Sequence, residues 1–100
     1  MFQKITTTNQ IPYGHAKDFI VGDEQIAIYN IEGTFYATSD ICPHEGGSLG
    51  QGELCQGVIT CPLHAWQFDV KSGKCLAIPS VKIKTYTVKI EGLDIFVDLG

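Results

Sequence analysis

The sequence predicts an antiparallel all-β domain. Three observations carry that prediction. Apolar residues come in short runs rich in β-branched and aromatic side chains, turn-forming residues separate the runs, and no stretch keeps the 3.6-residue spacing of an amphipathic helix. One hundred residues, 44% of them apolar and 18% charged, suit a single globular domain with its own core.

Taken in order, residues 2–5 (FQKI) read as a first strand, followed by a polar run and a turn at Pro12, Tyr13 and Gly14. Residues 16–21 and 25–31 are strands by composition, and Glu32-Gly33 makes a tight turn into a strand over 34–38. Residues 39–57 hold five glycines and no period, so they read as one long loop, a feature usually tied to function. Residues 57–61 form a short strand. Residues 66–70 and 74–77 flank Lys71-Ser72-Gly73 as a second hairpin, and Ile78-Pro79-Ser80 is a turn. Residues 86–90 and 94–99 close the chain as a third hairpin around Glu91-Gly92-Leu93. The middle of the chain thus looks inserted between outer strands over about residues 1–38 and 82–99.

A net charge of -4 argues against nucleic acid, which selects basic surfaces. No apolar run approaches the roughly 20 residues that cross a bilayer, and the N-terminus lacks the apolar stretch and cleavage site of a secretory signal. The expected location is the cytoplasm, away from membranes. In that compartment the four cysteines point to metal binding or catalysis before disulfides.

Two of the cysteines stand out. Cys42-Pro43-His44 and Cys61-Pro62-Leu63-His64 are short knuckles with 16 residues between them, each offering one thiolate and one imidazole. Cys55 and Cys75 have no such neighbour and read as small buried apolar residues. His15 stands alone in a turn-rich segment and reads as a surface residue. Nothing suggests nucleophilic or hydrolytic catalysis.

Two Cys and two His can hold a structural zinc or a [2Fe-2S] cluster. Zinc modules usually put two Cys in one knuckle and two His in the other. Here each knuckle is mixed, which lets facing knuckles give one iron both thiolates and the other iron both imidazoles. Chemistry alone therefore favours the cluster, with zinc the alternative. Two Fe(III), two sulfides and two thiolates sum to zero charge, so an added electron meets less repulsion than in a four-Cys cluster. With every iron position filled by protein, such a site moves electrons and binds no substrate.

The pattern C-x-H, sixteen residues, C-x-x-H resembles the Rieske iron–sulfur motif. The flanking HEGGSLGQGEL and CPLHAWQFDVKSGK are similar to the Rieske-type ferredoxins of bacterial aromatic-ring dioxygenase systems. The resemblance implies the Rieske fold: a sandwich-like or barrel-like antiparallel base with an inserted cluster-binding subdomain of two loops, over about residues 40–80 of a single 1–100 domain. It implies one Rieske [2Fe-2S] cluster, with Cys42 and Cys61 on the inner iron and His44 and His64 on the outer. Pro79 falls where such proteins carry a proline loop that helps cover the cluster.

The family's high-potential members add a disulfide at the positions of Gly47 and Leu63, so none is expected here. They also carry Ser and Tyr hydroxyls where this chain has Trp66 and Phe68. Donors near sulfur stabilise the reduced state. Neither Trp66 nor Phe68 offers a hydroxyl, with the Trp66 indole N–H the one donor left at these positions, which predicts a low-potential member near the roughly -150 mV end of the Rieske range. The implied role is a monomeric electron carrier that takes single electrons from an NAD(P)H-dependent flavoprotein reductase and delivers them to a terminal oxygenase, not itself an enzyme. The alternative within electron transfer is a subunit fixed to an enzyme such as nitrite reductase, and the lack of an anchoring segment favours free diffusion. Asp40, Glu45 and Glu53 are candidates for an acidic rim that steers docking.

Overall fold

The computed structural model describes residues 1–43, 46–63 and 65–100; His44, Glu45 and His64 lie outside the described residues. The strands in chain order are β1 (Phe2–Thr7), β2 (Ala16–Val21), β3 (Glu24–Ile31), β4 (Thr34–Ser39), β5 (Glu53–Cys55), β6 (Val58–Thr60), β7 (Gln67–Asp69), β8 (Thr85–Tyr86), β9 (Val88–Glu91) and β10 (Asp94–Asp98). Among the described residues, the helical content is confined to two 3-10 turns, Thr8–Gln10 and Leu49–Gln51. All pairings are antiparallel.

Among the described residues the strands form three sheets, ordered β1-β10-β9, β2-β3-β4-β8 and β5-β6-β7. The first two face each other as the base. Ile26, Ile28 and Ala37 of the second sheet meet Ile95 and Val97 of the first in one buried core. Sealing each large aliphatic side chain there contributes about 1.5–3 kcal/mol.

β3 explains how the third sheet attaches. Its run IAIYN is buried on both faces, and alternation sends Ile26 and Ile28 into the base core. Ala27 and Tyr29 point the other way, into a second core with Leu49, Ile59, Phe68 and the two knuckle cysteines. The buried Tyr29 hydroxyl is satisfied by Thr38 Oγ1 at 2.7 Å, which donates onward to the Ser39 carbonyl. One strand therefore serves as the wall between two cores.

Three expectations need correction. Residues 39–57 are not loop throughout: β5 pairs with β6 through Leu54 and Ile59, across a turn at Gln56 and Gly57 whose φ angles are 51° and 80°. Residues 74–77 are not a strand; Cys75 and Lys74 make only single bridges, to Phe68 and Lys82. The final hairpin does not contain Tyr86, which pairs with Ala37 of β4 in a different sheet before the chain crosses into β9.

Candidate metal centre

The first knuckle starts where β4 ends. Asp40 donates its N–H to the Gln25 carbonyl and receives the Leu49 N–H on its own carbonyl at 2.7 Å. Its carboxylate accepts the Gly50 N–H at 2.7 Å and the Ser48 hydroxyl at 2.8 and 3.0 Å. Gly50 is needed there because a Cβ would press on the Asp18 backbone of β2 at 2.6 Å. Asp40 thus closes the loop from inside. Burial raises its pKa, the Gly50 N–H and Ser48 hydroxyl lower it in part, and the charge of Asp18 adds to the rise. With 5% exposure Asp40 cannot belong to a steering rim, which corrects that expectation. Glu53 is exposed on β5, and Glu45 lies outside the described residues.

The two knuckles are built alike. The Ile41–Ser48 bridge brackets residues 42–47, and the Thr60–Gln67 pair brackets residues 61–66, so each is a six-residue hairpin loop. In the first, Cys42 N–H donates to the Gly47 carbonyl at 2.9 Å and Gly46 N–H donates to the Cys42 carbonyl at 2.8 Å. In the second, Cys61 N–H donates to the Trp66 carbonyl at 2.7 Å and Ala65 N–H donates to the Cys61 carbonyl at 3.1 Å. The fifth residue of each loop is left-handed, Gly46 at φ 73° and Ala65 at φ 59°. Proline follows each cysteine, where its fixed φ suits the start of a turn. The sequence motifs differ by one residue, yet the described hydrogen bonds and the left-handed fifth residue match.

These turns bring Cys42 and Cys61 into one core, at 1% and 2% exposure. Gly47 joins them. Its carbonyl binds the first cysteine's N–H, and a Cβ built on it would lie 3.1 Å from the second cysteine's Sγ. Neither thiol is in a disulfide. Two buried thiols, one from each of two matched turns, fit a soft metal centre, and the fully buried Leu49, Ile59 and Phe68 form its dry inner wall. Among the described residues no group of three ligating side chains gathers around Cys55 or Cys75.

Other assignments sort as follows. Cys75 is buried as expected, but Cys55 is exposed at the end of β5, beside the tight turn, which corrects its reading as a buried residue. His15 is exposed, as expected. Trp66 tilts against Phe68 with ring centroids 6.5 Å apart. Pro79 sits in an exposed turn closed by Val81 N–H on the Ile78 carbonyl. His44 and His64, the expected imidazole ligands, lie outside the described residues.

Comparison with known proteins agrees with this geometry. The Rieske [2Fe-2S] domain model matches residues 1–87. The chain is 41% identical over 92 residues to the ferredoxin component of the naphthalene 1,2-dioxygenase system of Pseudomonas aeruginosa, covering 91% of this chain and 88% of that one. It superimposes on the ferredoxin of carbazole 1,9a-dioxygenase from Nocardioides aromaticivorans IC177 with a TM-score of 0.88 at 29% identity, covering 97% of this chain and 96% of that one. A second match, with TM-score 0.87 at 28% identity over 96% of this chain and 91% of that one, is to a complex of reduced oxygenase and oxidized ferredoxin in carbazole 1,9a-dioxygenase. The likeness removes the zinc alternative and fixes the all-β architecture as the Rieske fold. The chain belongs to the Rieske [2Fe-2S] family, and its cofactor is a Rieske-type [2Fe-2S] cluster.

Proposed function

We propose that this protein is the ferredoxin of a multicomponent aromatic-ring dioxygenase system. It receives single electrons from an NAD(P)H-dependent flavoprotein reductase, hands them to a terminal oxygenase, and catalyses no reaction of its own. The observation that carries this reading is the pair of matched turns, each placing one buried cysteine against Gly47. Relatives named as ferredoxin components, of nearly the same length, support it.

In this reading Cys42 and Cys61 hold the inner iron, and His44 and His64 hold the outer. Residues of about 40–80 act as the cluster-binding subdomain of one 1–100 domain. When bound, the cluster supplies reversible one-electron chemistry. The chain's part is to seal the thiolates from water on the side of Leu49, Ile59 and Phe68, and to keep hydroxyl donors off the sulfurs. Phe68, fully buried where high-potential members carry a tyrosine, keeps the potential near the roughly -150 mV end of the Rieske range. The exposed Ile41, just before the first knuckle, and Leu63, within the second, suit a small, transient contact between monomeric carrier and partner.

The test is spectroscopic. Purified holoprotein should be red-brown, bleach with dithionite, and give the EPR spectrum of mixed Cys/His ligation. Cys42→Ser and Cys61→Ser should each abolish that spectrum. Colourless protein with one zinc, or a midpoint well above zero, would overturn the assignment.

A further inference from the structure

Gly47 is a glycine without a conformational reason. Its backbone lies outside the left-handed region that Gly46 occupies, so an L-residue could adopt it. What a side chain would meet there is crowding. A Cβ there would stand 3.0 Å from Leu63 Cγ and 3.1 Å from both Leu63 Cδ1 and Cys61 Sγ. Leu63 belongs to the second knuckle, yet its side chain rests on the Cα of the first.

That placement explains a divided side chain. Leu63 is 56% exposed, while Cys61, two residues earlier, is 2% exposed. The hidden part of Leu63 lies over Gly47, on the side where Gly47 meets the Cys61 sulfur. Elsewhere the core that holds Cys61 is sealed by fully buried side chains such as Ile59 and Phe68. On the Gly47 side, the described atoms nearest the Cys61 sulfur's approach to Gly47 are those of Leu63.

We propose that Leu63, seated on Gly47, is the apolar cover of the Cys61 sulfur and the side-chain tie between the knuckles, a positioning residue that keeps the potential low. The proposal rests on the reading of Cys61 as a ligand. Water reaching a cluster sulfur donates hydrogen bonds that stabilise the added electron, so opening the cover raises the potential. The same opening lets a chelator in. Gly47 contributes by staying small, since a Cβ there would crowd Leu63 and displace it by a few tenths of an ångström.

The experiment compares wild-type holoprotein with Leu63→Ala, Leu63→Val and Leu63→Met by dye-mediated redox titration and by cluster loss to a chelator. Leu63→Ala is expected to shift the one-electron reduction equilibrium about tenfold toward the reduced form, equal to about 59 mV upward, and to speed cluster loss about tenfold. Leu63→Val should move both in the same direction by a smaller factor, and serves if the alanine variant does not load. Leu63→Met, which refills the volume, should return both to within about threefold of wild type. Faster cluster loss with an unmoved potential, or a methionine variant that behaves as alanine, would overturn the cover. A Cys61→Ser protein that keeps the Rieske spectrum would instead overturn the ligand assignment beneath it.

Discussion

Asp40 shows how one carboxylate can be legible in the sequence and still be misread. Its charge two residues before Cys42 invites a role in steering partners, and composition offers no sign that it turns inward. The deciding contacts, Gly50 N–H and the Ser48 hydroxyl, come from the far side of the same loop and exist only once that loop has closed. Asp40→Ala leaves the Gly50 N–H buried without its acceptor, which costs about 1–3 kcal/mol. Urea unfolding of the holoprotein should show that loss as a lower midpoint. The rate of reduction by the proposed flavoprotein reductase, followed against ionic strength, should keep the same slope, because a buried charge contributes little to long-range steering. Cys55 is the converse case. Its low polarity suggested a buried place, but the Gln56-Gly57 turn beside it puts the residue at an exposed hairpin end. That Gln-Gly pair ahead of VIT was the signal for β5, and a two-residue turn of left-handed residues is how short hairpins are made.

At the scale of elements, the matched knuckles make their own prediction. Ala65 sits at φ 59° where its counterpart is glycine, a conformation costing an L-residue about 1–2 kcal/mol. Ala65→Gly relieves that strain and gives back about 0.5–1 kcal/mol in chain entropy. The expected outcome is a small gain, under about 1 kcal/mol in chemical denaturation. Gly46→Val should do the reverse, destabilising the first loop and speeding loss of visible absorbance on chelation. The two knuckle cysteines could be singled out from residue types and spacing, and the fold buries both in one core. The equal length of their loops could not be read, because His comes two residues after Cys in one motif and three after it in the other. Strands long enough to alternate were also legible: β2 and the β3–β4 hairpin stand where their β-branched residues put them. What failed was partnership. The run from Tyr86 to Ile90 reads as one strand, yet Tyr86 bonds to β4 and Val88 onward to β10, and only the three-dimensional sheet order separates them.

Tyr86 also matters to the whole molecule, since its hydroxyl donates to Glu24 Oε2 at 3.0 Å and ties β8 to the start of β3. Burial, then the hydrogen bond and charge of Glu24, raise its pKa to about 12. An unfolded chain releases that proton near the ordinary value of about 10. Folded protein thus binds the proton more tightly. The stabilisation is fully present below about pH 10 and is lost as pH rises toward about 12. Thermal melts across that window should fall more steeply for wild type than for Tyr86→Phe, which should cost about 0.5–1.5 kcal/mol at neutral pH. β3 carries a different consequence. Because its alternate residues face two cores, neither core can open while the other stays sealed behind an intact strand. A bound cluster stabilises whatever cannot unfold without releasing it. Amide hydrogens of β3, well inside the base, should therefore exchange more slowly in holoprotein than in apoprotein, and both cores should melt in one transition. Loading of the cluster would then be visible as protection in a strand that carries none of its proposed ligands.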